Sequence, residues 1–383
     1  TASGYADLAE IEPAVRAALP PRICVFGGTR SYGDEVPALQ TAEMFDPEVG
    51  DWIPLPSMPS RRLGPDPVVV GGRAYLCGGD CSRAEGTSAV DCFDLGEAAW
   101  EVAEPLAEAR CGHLVVEVAG MIYACGGMGK QGQLLRSVER FDPKSGRWQR
   151  APDMGGPRFC PGGDAIGAEL YLCGGMGHWC SGPSSGDSPA HLRTVERLVP
   201  GSSVWEELPP MMAERESPGI AQLGGYLVVC SGGSGDAVLR TAERFDPGRK
   251  FWEPLPSMAH GRLAPAVGVV GERLVLCGGL GEQGQSLSSV EAFDSRSHAW
   301  ESLQSMHVAR ADASLVVAGR SIYICGGVGI HQRVRAMLDE DDTEEELQVP
   351  LAEVERYNLR TGTWETLPPM SEARYGAAAL ALY

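Results

Sequence analysis

Short apolar stretches recur along this chain at nearly regular intervals, and most of them end in a pair of glycines. Residues 121–125 (MIYAC) are apolar at every position, whereas residues 136–141 (RSVERF) mix apolar and polar positions and run into an Asp-Pro turn. Runs of this length, bounded by glycines and turn residues, predict β-strands and not helices. The pattern therefore predicts an all-β chain made of many short strands.

The strands belong to a repeat with a period near 50 residues. The repeated glycine pairs are Gly27-Gly28, Gly78-Gly79, Gly126-Gly127, Gly174-Gly175, Gly232-Gly233, Gly278-Gly279 and Gly326-Gly327. Each pair is followed by one tryptophan of the series Trp52, Trp100, Trp148, Trp205, Trp252, Trp300 and Trp364. A repeat of this length and content is typical of a β-propeller.

Each repeat divides into four strands, here named a to d in chain order. In the third repeat, residues 110–119 predict strand a, 121–125 strand b, 136–141 strand c, and the segment around Trp148 strand d. A single sheet of this kind cannot bury both of its faces. A closed ring of seven sheets buries each one against its neighbours and leaves no open edge.

The two ends of the repeat region predict how the ring closes. Residues 22–28 (RICVFGG) begin the first repeat at strand b, and residues 374–383 (RYGAAALALY) supply a surplus strand a. We therefore expect a closed seven-bladed propeller over residues 22–383, in which the last strand completes the first blade. Residues 1–21 predict a short helix that ends at a Pro-Pro pair.

These markers resemble those of the kelch-repeat β-propeller family. Residues 137–154 (SVERFDPKSGRWQRAPDM) and 241–258 (TAERFDPGRKFWEPLPSM) carry the resemblance most clearly, and the fourth repeat departs from it with Leu198-Val199-Pro200. Six blades are common in this family, but seven sets of markers favour seven here. The resemblance implies an adaptor or scaffold that binds other proteins, and a helix like that of residues 1–21 connects the propeller of some kelch adaptors to an upstream domain.

An arginine stands at the start of strand a in all seven repeats. The set is Arg62, Arg110, Arg158, Arg215, Arg262, Arg310 and Arg374. In the resembling family strand a lines the central channel, so the arginines would gather at one end of it. A guanidinium matches carboxylate or phosphate, and the resemblance implies that such arginines bind an acidic peptide.

A structural interpretation of the same arginines is open beside the first. Each one could bridge to an acid of strand c or to loop carbonyls, the acids being Glu43, Asp91, Glu139, Glu196, Glu243, Glu291 and Glu355. If the arginines bind a partner, Tyr32, Trp179 and Tyr375 are candidate aromatic anchors on the same face. The b–c and d–a loops share that face because the strands alternate in direction.

Composition narrows the classes of partner. The formal net charge is -19, which repels nucleic acid and anionic membranes over most of the surface. No apolar run approaches the roughly 18 residues that a membrane-spanning helix needs. Five of the 12 cysteines stand directly before a glycine pair, and this repeated strand position favours buried, reduced thiols and a cytoplasmic or nuclear location.

No motif indicates catalysis or a cofactor. Residues 127–132 and 279–284 match G-x-G-x-x-G, but a strand and not a helix follows each, so a dinucleotide site is not expected. His178, Cys180 and His191 fall in one loop without a fourth metal ligand nearby. We therefore expect no cofactor, no metal and no enzymatic activity.

The sequence thus predicts a module that binds an acidic or phosphorylated segment of a partner protein, with the substrate receptor of a cullin-type ubiquitin ligase as the leading role. A structural scaffold in a cytoskeletal or organelle assembly is the alternative, and a propeller enzyme is the third. Residues 338–346 (LDEDDTEEE) form an acidic run in the longest b–c loop. They are expected to be a solvated insertion, or else a tethered competitor for the arginine face.

Overall fold

The computed structural model describes residues 21–31, 37–64, 67–79, 86–179, 189–329 and 348–383. The helix expected in residues 1–21 lies outside these ranges, apart from residue 21, and so does the acidic run 338–346. Within the described ranges all regular structure is β, and no helix is long and apolar enough to span a membrane.

The strands are numbered in chain order. They are β1 Arg22–Phe26, β2 Ala42–Asp46, β3 Asp51–Leu55, β4 Pro67–Val70, β5 Arg73–Cys77, β6 Val90–Asp94, β7 Ala99–Val102, β8 Leu114–Val118, β9 Met121–Cys125, β10 Val138–Asp142, β11 Arg147–Ala151, β12 Gly162–Ile166, β13 Glu169–Cys173, β14 Met176–Trp179, β15 Pro189–His191, β16 Val195–Leu198, β17 Glu206–Leu208, β18 Gly219–Leu223, β19 Tyr226–Cys230, β20 Gly233–Ser234, β21 Ala237–Val238, β22 Ala242–Asp246, β23 Phe251–Leu255, β24 Ala266–Val270, β25 Arg273–Cys277, β26 Val290–Asp294, β27 Ala299–Leu303, β28 Ser314–Ala318, β29 Ser321–Cys325, β30 Val328–Gly329, β31 Val349–Pro350, β32 Val354–Asn358, β33 Thr363–Leu367 and β34 Ala378–Leu382.

Seven four-stranded antiparallel sheets form the blades, as predicted. From strand a to strand d their orders are β34-β1-β2-β3, β4-β5-β6-β7, β8-β9-β10-β11, β12-β13-β16-β17, β18-β19-β22-β23, β24-β25-β26-β27 and β28-β29-β32-β33. Neighbouring a strands contact one another all the way round, including β28 with β34 and β34 with β4. The strand a ring therefore surrounds the central axis, and the b–c and d–a loops meet at one end of it.

The hydrophobic core lies between blades and consists of seven clusters, one for each interface. Strand β1 shows why strand b must be apolar on both sides. Cys24 and Phe26 pack towards blade 2, whereas Ile23 and Val25 pack towards blade 7. Successive side chains of a strand point to opposite faces, so strand b contributes to two interfaces at once.

Closure takes place through the last strand. Strand β34 pairs antiparallel with β1, from the pair Arg22 and Leu382 to the pair Phe26 and Ala378. This confirms that the C-terminus completes the first blade. The strand d tryptophans link neighbouring blades at all seven interfaces, including the one between blades 7 and 1 where the ring closes. Each indole N–H donates to a backbone carbonyl of the preceding blade at 2.7–2.9 Å. At the seam the pair is Trp52 with the Pro368 oxygen.

Two sequence expectations need correction. Strand a is shorter than predicted: in the third blade it begins at Leu114 and not at Arg110. In the fifth blade the repeated pair is Ser231-Gly232 and not Gly232-Gly233. Ser231 and Gly232 have φ values of 59° and 92°. The Gly232 N–H donates to the Arg262 carbonyl of the next blade, and in the other blades the second glycine of the pair makes the equivalent hydrogen bond.

Candidate interaction face

The seven arginines at the start of strand a are buried, with side chains at most 2% exposed. Each guanidinium approaches the strand c acid of its own blade at 2.6–3.0 Å. Its Nη1 also donates, at 2.5–2.9 Å, to the carbonyl of the residue that directly follows strand b, which is the first residue of the repeated pair. The side chain thus ties strands b and c to the d–a loop.

The same arginines also link neighbouring blades through the backbone. The N–H of the second residue in each glycine pair donates to the carbonyl of the next blade's arginine at 2.7–3.0 Å. At the closing seam, Gly327 of blade 7 bonds in this way to Arg374 of blade 1. Each arginine therefore holds its own blade with its side chain and the preceding blade with its main chain.

The strand c acids have a second task. Besides accepting from the arginine, each carboxylate accepts from one or two backbone N–H groups of the d–a loop. Glu355, for example, accepts from His307 and Val308 at 2.7 and 3.1 Å. These bonds satisfy loop donors that would otherwise be costly to bury.

The structure therefore favours the structural interpretation of the seven arginines, and partner binding by this set stays a prediction. Arg62, Arg110, Arg158, Arg215, Arg262, Arg310 and Arg374 are occupied inside the fold by the acids and carbonyls that the structural interpretation named. A guanidinium leaves water only when its donors are matched by an acid and by carbonyls, and every blade supplies both.

The three aromatic candidates have different outcomes. Tyr375 is half-buried beside the channel entrance, where its backbone bridges to Thr29 and its hydroxyl lies 3.4 Å from the Ser31 carbonyl. Tyr32 lies outside the described residues. Trp179 ends strand β14, but its side chain is outside the described part of the structure. The role of all three as anchors stays a prediction.

Three other arginines of this face share one repeated position and are exposed. Arg136, Arg193 and Arg240 stand two residues before strand c in blades 3, 4 and 5, and all three are exposed. Arg136 lies 3.6 Å from Asp153; within the described ranges, neither Arg193 nor Arg240 has an ion pair. Their repeated position was visible in the sequence, since each follows a leucine that precedes strand c.

The b–c loops that carry two of these arginines touch each other. The backbone N–H of Gly235 in blade 5 donates to Nδ1 of His191 in blade 4 at 2.6 Å. Arg193 and Arg240 therefore project from neighbouring loops that are tied together.

The channel entrance is formed by the residue two positions after each arginine. All seven have positive φ, between 43° and 65°: Gly64, Gly112, Cys160, Ser217, Ala264, Asp312 and Gly376. Several bond to the next around the ring, such as the Cys160 N–H to the Gly112 carbonyl at 2.8 Å. Because only glycine adopts this conformation without strain, the four other residues mark positions that a repeat alignment could have singled out.

Two titratable side chains of this entrance have raised pKa values. Burial raises the pKa of the Cys160 thiol to about 12, and burial also raises the pKa of the Asp312 carboxyl. A thiol that stays protonated at neutral pH is a poor nucleophile. The geometry therefore gives no support to a nucleophilic role for Cys160.

Most of the other described cysteines are buried residues of strand b. Cys77, Cys125, Cys173, Cys277 and Cys325 are buried, and desolvation raises their pKa values to about 12. Cys230 holds the same place in the fifth blade, where the shifted glycine pair had hidden it. No disulfide joins two cysteines of the described ranges. Those ranges also hold no cluster of metal-ligating side chains; Cys180 and the side chain of His178 lie outside them.

The chain folds as a closed seven-bladed β-propeller whose b–c and d–a loops meet at one end of the central channel. The Kelch motif family model matches residues 109–155, 261–307 and 342–371, which confirms kelch repeats in three regions of the seven-bladed ring. A solved structure titled "Structure of YjhT" has a similar fold, with a TM-score of 0.62, 14% sequence identity, and coverage of 82% of this chain and 99% of that chain. No curated protein sequence matches the chain. Kelch propellers commonly serve as protein-interaction modules.

Proposed function

We propose that this propeller captures an acidic or phosphorylated segment of a partner protein on the face that carries Arg193 and Arg240. One observation supports the proposal above the others: these two arginines are exposed on tied neighbouring loops, and no described acid is paired with them. They take over the role that the sequence had given to the seven buried arginines. Charge-assisted contacts of this kind contribute roughly 1.5–3 kcal/mol each.

The test is affinity purification from a cell extract with quantitative mass spectrometry. We expect the double variant Arg193→Ala/Arg240→Ala to lose the bound partners, and its affinity for a synthetic acidic segment of a captured protein to fall roughly tenfold or more. The matched control is Arg296→Ala/Arg360→Ala, which removes two exposed arginines from c–d turns at the other end of the blades. Equal retention by the two double variants would exclude this face.

For the cellular role we propose a substrate receptor of a cullin-type ubiquitin ligase, with a structural scaffold as the alternative. The support is the kelch resemblance together with a face suited to segment capture. Co-purification of a cullin with the full-length gene product is the expected result. Recovery of cytoskeletal or organelle proteins without a cullin would favour the scaffold. A cytoplasmic or nuclear location is proposed, because the strand b cysteines are buried thiols suited to a reducing compartment.

A further inference from the structure

A cavity of about 620 Å³ opens beside the fourth blade. It lies between the loop that leads into this blade and the blade's own strands β16 and β17. Its lining includes Gly155, Gly156, Arg158, Thr194 and Trp205. One of the seven buried arginines thus borders an open space, and blades 1 and 3 show what can fill such a space.

In blades 1 and 3 a glutamate of the d–a loop fills the corresponding place. The Thr41 hydroxyl donates to Glu372, whose carboxylate is 3.5 Å from the Arg374 guanidinium. The Ser137 hydroxyl donates to Glu108, whose carboxylate is 3.7 Å from Arg110. Each glutamate stands two residues before its arginine, so both blades seat a carboxylate between a hydroxyl and a guanidinium.

Blade 4 keeps the hydroxyl and the guanidinium but has no glutamate. Gly156 occupies the position two residues before Arg158, and a Cβ built on it meets nothing within 4 Å. The Thr194 Oγ1 accepts from Arg158 at 2.9 Å, while the hydroxyl proton has no acceptor among the described residues. Blade 5 also lacks the glutamate, but there Ala213 places a side chain at the position.

The charges around the cavity leave room for an added carboxylate. Glu196 is paired with Arg158 at 2.6 Å, and Asp153 lies 2.9 Å from Arg150 and 3.6 Å from Arg136. The remaining acid of the lining is Glu207, which is exposed. Repulsion from Glu207 therefore opposes an entering anion, and solvent weakens it.

We propose that this cavity binds the Asp or Glu side chain of a partner protein in the place that Glu108 and Glu372 hold within the chain. The carboxylate accepts from Thr194 and faces Arg158, and the rest of the residue packs against the Trp205 ring. The inference rests on the proposed function and gives it a specific binding site on blade 4, next to the loop that carries Arg193.

The first test needs no partner and compares Gly156→Glu with Gly156→Gln. Both changes reduce the freedom of the unfolded chain to a similar extent, so their difference reports the carboxylate. We expect Gly156→Glu to melt roughly 1 °C or more above Gly156→Gln at pH 7, because only the charged group complements Arg158. Equal melting, or a higher melting temperature for Gly156→Gln, overturns the carboxylate seat.

The second test selects binders from a random peptide display library. Wild-type protein should enrich peptides that contain Asp or Glu, and Gly156→Glu should weaken the best of them at least tenfold, since its own carboxylate fills the cavity. Glu207→Gln should strengthen them. Enrichment of peptides without an acid, affinity that survives Gly156→Glu, or no enrichment overturns the proposal. If Gly156→Glu abolishes binding while Arg193→Ala/Arg240→Ala leaves it unchanged, the result supports the cavity as the binding site and contradicts the proposed role of Arg193 and Arg240.

Discussion

At the scale of single residues, the repeated arginine is the main organiser of this propeller. Its side chain joins strands b and c of one blade, and its carbonyl receives a hydrogen bond from the blade before. Such a buried pair is not by itself strongly stabilising, because both ions lose water. Removing one member is costly, since the other charge then stays buried without its partner.

We therefore expect Arg310→Ala to lower the free energy of unfolding by about 3–5 kcal/mol. Arg310 is suited to this test because it is not in the lining of the blade 4 cavity. The measurement is urea or thermal unfolding followed by circular dichroism. The exposed Arg360→Ala should stay within about 0.5 kcal/mol of the wild type. An Arg310→Ala protein as stable as Arg360→Ala would contradict the structural role.

A second residue-scale prediction concerns His113, which directly precedes strand β8. Its ring nitrogens are buried, and burial, followed by the charge of Arg110, lowers its pKa to about 3. The unfolded chain takes up this proton near pH 6.5, whereas the folded protein does so only near pH 3. Stability from the neutral ring is therefore complete above pH 6.5 and declines as the pH falls.

We expect this histidine to account for about 2 kcal/mol of the stability lost between pH 7 and pH 5. His113→Ala, which introduces the residue found at the equivalent positions 313 and 377, should show a flatter decline over the same range. The experiment is thermal unfolding at several pH values, and an identical pH dependence in the two proteins would refute the assignment.

At the scale of elements, blade 4 is the irregular one, and its c–d turn explains why. In the other blades an Asp or Asn ends strand c, and its side chain accepts backbone N–H groups of the turn, as Asp94 does from Gly96 and Glu97. Val199 has no such acceptor. Ser202 replaces it by local bonds to Val199 and Val204, and β17 is only three residues long. The residues of this turn then help to line the cavity beside the blade.

At the scale of the whole molecule, stability depends on closing the ring. The seven interblade cores form a circle, and the seam between blades 7 and 1 uses the same contacts as the others: strand pairing, the Trp52 bond and the Arg374 bridge. A break at this seam would expose one strand edge and two apolar faces.

Deleting residues 374–383 should therefore abolish cooperative unfolding or make the protein insoluble, because it removes β34 together with Arg374. A synthetic peptide of residues 374–383, added during refolding, should restore part of the transition seen by differential scanning calorimetry. Deleting only Tyr383, which follows β34, serves as the control. A truncated chain that melts like the full one would mean that β34 does not close the ring.

Much of the architecture was predictable because its markers are local and repeated. The tryptophans gave the blade count, and the surplus strand at residues 374–383 gave the closure, since each follows from spacing along the chain. The exception in blade 5 shows the limit. In the sequence, Gly232-Gly233 looks like the glycine pairs of the other blades. The hydrogen bond from the Gly232 N–H to the Arg262 carbonyl shows that Ser231-Gly232 is the equivalent pair.

The sequence by itself determined that this chain is a seven-bladed kelch propeller whose last strand completes its first blade. Only the tertiary structure decided that the seven arginines are internal, that Arg193 and Arg240 are exposed, and that Gly156 leaves a cavity next to Arg158. The physical reason is that burial depends on contacts between distant residues: Arg158 meets Glu196 across 38 positions of the chain. An arginine at the start of a strand has the same local sequence whether it faces solvent or a carboxylate.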